Sequence, residues 1–98
     1  MSSPIARILH FSFETAEDLN LWVMKYETET SELAKEAIQR TLVKTDETSL
    51  VICNIYRNEE DANNVLERLS KWSGTVKVAR TWESFNLTGE VVFSEPKY

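Results

Sequence analysis

The chain has 98 residues, 42% hydrophobic and 28% charged, with eleven Lys and Arg against sixteen Asp and Glu. That is the make-up of one globular domain rather than a disordered chain, and two Gly and two Pro leave little length for irregular loops. A net charge of −5 with scattered basic residues opposes phosphate backbones and anionic lipid, so neither nucleic acid nor membrane is an expected partner.

Residues 5–13 read as a strand, apolar and free of Gly and Pro. One face carries Ile5, Leu9, Phe11 and Phe13 with Arg7 among them; the other carries Ala6, Ile8, His10 and Ser12. Thr15 then caps a helix whose first turn holds Glu17 and Asp18, where the helix dipole favours negative charge. Leu19, Trp22, Val23 and Tyr26 follow at i, i+3, i+4 and i+7, one helical face. Thr28, Thr30 and Ser31 weaken that helix, and a short second piece over 32–36 is expected to resume it. Residues 37–45 suit a partly exposed strand, and the Asp46 region suits a hairpin turn.

Residues 50–56 are the strongest strand, apolar on both faces as a covered central strand must be. Asn58 caps the clearest helix, over 58–74. Glu59, Glu60 and Asp61 load its first turn, and Ala62, Val65, Leu66, Leu69 and Trp72 form its buried stripe. Gly74 is expected to close it in a left-handed conformation. A fourth strand over 75–85 and an extra C-terminal strand over 87–94, with Gly89 as a turn or bulge, complete the chain.

This order predicts an α+β fold: a ferredoxin-like split βαβ with a four-stranded antiparallel sheet and both helices on one face. The second face then has no cover within the chain, although Val51, Cys53 and Ile55 lie on one side of the central strand and Leu50, Ile52 and Tyr56 on the other. Leaving apolar surface in water costs about 25 cal/mol per Å². The simplest cover is a second copy, so a homodimer is expected, with the C-terminal strand reaching across to lock the pair.

At this point the chain resembles the dimeric α+β barrel superfamily, and within it the antibiotic-biosynthesis monooxygenase-like domains. The most specific stretch is Leu50-Val-Ile-Cys-Asn-Ile-Tyr56-Arg-Asn-Glu-Glu-Asp-Ala62, which looks like that family's third strand running into its second helix. The resemblance implies a homodimeric barrel with a pocket between sheet and helices in each subunit. It also implies either a cofactor-independent monooxygenase of small aromatic compounds or a protein of another role. Haem-degrading members use an Asn, a Trp and a His. Tyr56 falls near the Trp position and Ile8 near the Asn, and the only histidine, His10, is on the first strand, so that activity is not expected.

Five residues are candidates for the ligand pocket: His10, Asn54, Tyr56, Arg80 and Trp82. His10 alone has an ordinary pKa near neutrality and reads as a pocket acid/base or as a hydrogen-bonded structural residue. Asn54 and Tyr56 interrupt an apolar strand; they orient a ligand, or satisfy each other's neighbours or water at the dimer seam. Arg80 and Trp82 share a strand face and suit an acidic or aromatic ligand, or an interface contact. Trp22, Tyr26 and Trp72 read as core, Cys53 as a small buried hydrophobe, and Glu59-Glu60-Asp61 as a helix terminus. Neither a cofactor nor a metal is expected, since no glycine loop, nucleophile elbow or ligand spacing is present. A lone thiol and the lack of a charged-then-apolar leader after Met1 suit a cytoplasmic protein. The rival to an enzyme is a non-catalytic small-molecule sensor or a structural dimer.

Overall fold

The period-2 run at the N-terminus and the apolar run at 50–56 form the middle of the sheet. A computed structural model describes residues 4–76, 80–81 and 86–95. The elements are β1 (Ile5–Phe13), α1 (Ala16–Glu29), β2 (Gln39–Asp46), β3 (Ser49–Tyr56), α2 (Glu59–Thr75), β4 (Arg80–Thr81) and β5 (Asn86–Glu90). The strand order is β2-β3-β1-β4, every pairing is antiparallel, and β5 also pairs with β1. β4 meets β1 at Ser12 and Phe13 while β5 meets it from Ile5 to Leu9, so the two share one edge. This is the ferredoxin-like arrangement, with the extra strand laid on the chain's own β1. β5 ends at Glu90; Val91 donates its N–H to the Pro4 carbonyl at 2.9 Å, and Val92 and Phe93 then stand exposed.

Both helices start as their caps dictate. The Thr15 hydroxyl accepts from the Asp18 N–H at 3.1 Å, and the Asn58 side chain accepts from the Asp61 N–H at 2.8 Å. Leu19, Trp22 and Tyr26 of α1 and Ala62, Val65 and Trp72 of α2 are buried against the same sheet face. α1 ends where hydroxyls turn back on the helix: Thr28 donates to the Met24 carbonyl at 2.8 Å, and Thr30 donates to the Tyr26 carbonyl.

Three local expectations need correction. Residues 32–36 form turns, not a resumed helix; the Ala34 N–H donates to the Thr30 carbonyl and the bonding does not propagate. Gly74 lies inside α2 without a left-handed φ. The end is closed by the Thr75 hydroxyl on the Trp72 carbonyl at 2.6 Å and by the Val76 N–H on the Ser73 carbonyl. Gly89 pairs regularly with Ala6 inside β5 and makes no bulge.

Candidate functional site

Strand alternation builds the site. On β1, Ile5, Arg7, Leu9, Phe11 and Phe13 face the helices, and on β3 Leu50, Ile52, Asn54 and Tyr56 do so. The register sets Arg7 opposite Asn54, and Asn54 opposite Arg40 of β2. Three polar residues thus stand side by side across three strands, on the covered side of the sheet. The row separates two apolar clusters. Phe13, Leu19, Trp22, Tyr26, Leu50 and Ile52 lie on one side of it, and Tyr56, Ala34, Ala62 and Val65 on the other.

Burial makes this row costly unless its polar groups are paired. Arg7 is 9% exposed and Asn54 1%. Arg7 Nη2 donates to Asn63 Oδ1 on α2. Arg40 Nη2 donates to Thr30 Oγ1 at 2.6 Å, and its guanidinium lies 4.6 Å from the centre of the Tyr26 ring. Arg7 Nε, Arg40 Nε, Asn54 Oδ1 and the Tyr26 hydroxyl are buried with no hydrogen-bond partner among the described residues. Burial pushes the Tyr56 hydroxyl above the ordinary tyrosine range. Its hydrogen bond to Asn54 lowers it, Tyr26 adds to the rise, and Arg7 and Arg40 oppose it. One phenol therefore senses every member of the cluster. A groove of about 310 Å³, lined by Tyr26, Glu27, Arg40, Thr41 and Leu42, opens beside the row between β2 and α1. That volume is at the low end for small-molecule pockets.

The structure brings together Asn54 and Tyr56, on the covered side and away from any seam on the open face. His10 stands on the opposite face, beside Ala6, Ile8 and Ser12, because β1 alternates. Arg80 pairs through its backbone with Phe13, and Trp82 lies outside the described residues. Sequence reasoning missed Arg7 and Arg40 as site residues. The available signal was one charge at an inward position of each strand: Arg7 among Ile5, Leu9 and Phe11, and Arg40 between Ile38 and Leu42.

The other sheet face carries two cross-strand rows. Leu87, Ile8, Cys53 and Thr41 form one, and His10, Val51 and Val43 the next. Val43 is 50% and Leu87 55% exposed, and Cys53 is half-buried rather than enclosed, because neither helix packs on this side. Among the described residues no helix is long and apolar enough to cross a membrane.

No family model matches the chain, and no curated protein matches it. Solved structures do. A candidate antibiotic biosynthesis monooxygenase from Nitrosomonas europaea superposes with a TM-score of 0.78 at 14% identity, covering 95% of this chain and 94% of that one. A dimeric ferredoxin-like protein from an uncultured marine organism gives 0.72 at 19% identity, covering 94% and 97%. SnoaB, a cofactor-independent oxygenase from Streptomyces nogalater, gives 0.66 at 11% identity, covering 98% and 100%. At these identities the likeness is one of fold: the chain has the ferredoxin-like α+β architecture of the antibiotic-biosynthesis monooxygenase-like proteins.

Proposed function

We propose that this chain acts in the cytoplasm as a single-domain homodimeric α+β barrel protein. In this reading it holds a small aromatic compound between sheet and helices and oxygenates it without a cofactor. The observation that carries the ligand site is the Arg7–Asn54–Arg40 row, buried at Arg7 and Asn54 and half-buried at Arg40, with polar atoms unpaired among the described residues, beside an open groove. A protein keeps such a row inside its core at a cost in stability, and ligand binding is the return that explains it. Tyr26 and Leu42 line the groove, and Asn54 Oδ1, behind Arg40 and unpaired among the described residues, is the acceptor a ligand hydroxyl would reach past Arg40. The Tyr56 hydroxyl stays protonated at neutral pH and can donate. The oxygenase assignment is supported by the fold shared with SnoaB, and the dimer by the uncovered sheet face and the dimeric ferredoxin-like neighbour.

The experiment is a thermal-shift screen of hydroxylated aromatic compounds, followed by oxygen uptake with those that bind. Stabilising ligands that consume oxygen support the enzyme. Asn54→Leu is expected to abolish the ligand-induced shift and to lower the unliganded Tm, because it leaves the buried Tyr56 hydroxyl without its Asn54 partner. Binding without oxygen uptake selects the non-catalytic sensor. Silence across the library selects the structural dimer, a reading favoured by one observation: Phe11, Phe13, Trp22, Tyr26 and Trp72 pack as one group of contacting rings between sheet and helices.

A further inference from the structure

The ion pairs among the described residues are Lys25 with Glu29, Arg68 with Glu36 and Lys71 with Glu67. None involves the two guanidiniums that flank Asn54. The hydrogen-bond partners of Arg7 and Arg40 are neutral, an amide oxygen and a hydroxyl, and each guanidinium retains an unpaired buried Nε–H. A chain with sixteen acidic residues and a net charge of −5 thus places two cations on the covered face of its sheet and directs no described carboxylate to them. Arg7 is buried and Arg40 half-buried, and charge removed from water without a counter-charge is among the most unfavourable arrangements in a protein. The same arrangement is well suited to a ligand that brings the missing charge.

Geometry narrows the class. The Cα positions of Arg7 and Arg40 are two strand spacings apart, about 10 Å, with Asn54 between them. Two long side chains approaching from either side can close that gap around one planar oxyanion, which a guanidinium fork matches through paired N–H donors. Arg40 lines the groove and is the member of the row that faces the opening between β2 and α1, with Asn54 and Arg7 behind it on the next two strands. Tyr26 lines the same groove, but Arg40 covers one face of its ring and Trp22 stacks on the other, so the apolar wall left for an aromatic body is Leu42. Glu27 lines the same groove, exposed at its rim.

We propose that Arg7 and Arg40 together bind the carboxylate of an aromatic acid, with the carboxylate over Asn54 and the ring in the groove against Leu42. This rests on the ligand-site reading above and adds the charge of the ligand to it. The acid is the specificity element: the guanidiniums reject a neutral analogue of the same shape, since binding it would displace their water without supplying a counter-charge.

Calorimetric titration of the full chain with 2-naphthoate and with uncharged 2-naphthamide tests this. The expected result is at least tenfold tighter binding of the acid. Added salt weakens the acid alone, and Glu27→Gln tightens it. Arg40→Met and Arg7→Met should each bring the two affinities to within about twofold while circular dichroism stays native. Should Arg7→Met not fold, Arg7→Lys keeps the charge, loses the fork, and should cut the ratio severalfold. Equal affinities for acid and amide in the unaltered chain overturn the carboxylate site and leave the aromatic pocket standing. Failure of both probes, together with silence in the hydroxylated-aromatic screen, overturns pocket and carboxylate site alike. An acid preference that survives both arginine substitutions overturns the assignment to these residues.

Discussion

Tyr56 closes β3 with its ring among Ala34, Ala62 and Val65 and its hydroxyl turned to the polar row. Burial disfavours the phenolate, so the folded chain holds this proton above the ordinary tyrosine value of 10.0. Linkage then has a definite sign. Below the unfolded value both states carry the proton and pH has no effect through this group. Above it the unfolded chain loses the proton first, so stability falls as pH rises from about 10 toward the folded value. Urea denaturation at pH 9 to 11 should show a steeper loss for the native sequence than for Tyr56→Phe; parallel curves would mean that this hydroxyl is not buried. Arg7 and Arg40 show the limit of a local pattern. An inward charge on an apolar strand is visible in a one-dimensional pattern, but its neighbours are not. Arg7 and Arg40 are 33 positions apart and fall in one row only because β3 lies between β1 and β2.

α2 begins at Asn58 because its amide oxygen satisfies the Asp61 N–H, an otherwise orphaned donor, and because Glu59, Glu60 and Asp61 sit at the positive end of the helix. Asn58→Ala is expected to cost about 1 kcal/mol, read as a lower urea midpoint with an unchanged slope. An unaltered midpoint would show that the cap is not limiting for the helix. Both helix starts were legible in the sequence, since a cap is set by residues three apart. The ends were less so. Thr30 ends α1 through its own hydroxyl bond to Tyr26, and it also receives Arg40 from β2, a partner no local pattern reveals. Gly74 carries the usual signature of a helix end, yet α2 continues to Thr75 and closes through the Thr75 hydroxyl and Val76.

In the whole molecule, the helices shelter one side of the sheet and leave Ile8, Val43, Val51, Cys53 and Leu87 on the other. In the proposed dimer a second copy set face to face would bury these rows. Light scattering at micromolar concentration should give twice the 11.3 kDa chain mass, and Val51→Lys should return it to a monomer by placing a charge within the rows. A monomeric native chain would remove the dimer from the proposed function but leave the Arg7–Asn54–Arg40 row intact, since that row lies on the covered side. β5 bears on the same question. Its pairing with β1 extends the uncovered face through Leu87 instead of crossing to a partner.

The order of strands and helices, the two caps and the two-sided apolar character of residues 50–56 were determined by the sequence alone. They depend on spacings of two to four residues, which hydrogen bonding and hydrophobic burial convert directly into local structure. The pairing of Asn54 with two arginines, the separation of His10 from that cluster, and the opening beside Arg40 were decided by tertiary structure. Strand register couples residues dozens of positions apart, and a shift of one residue would have sent each of these side chains to the other face of the sheet.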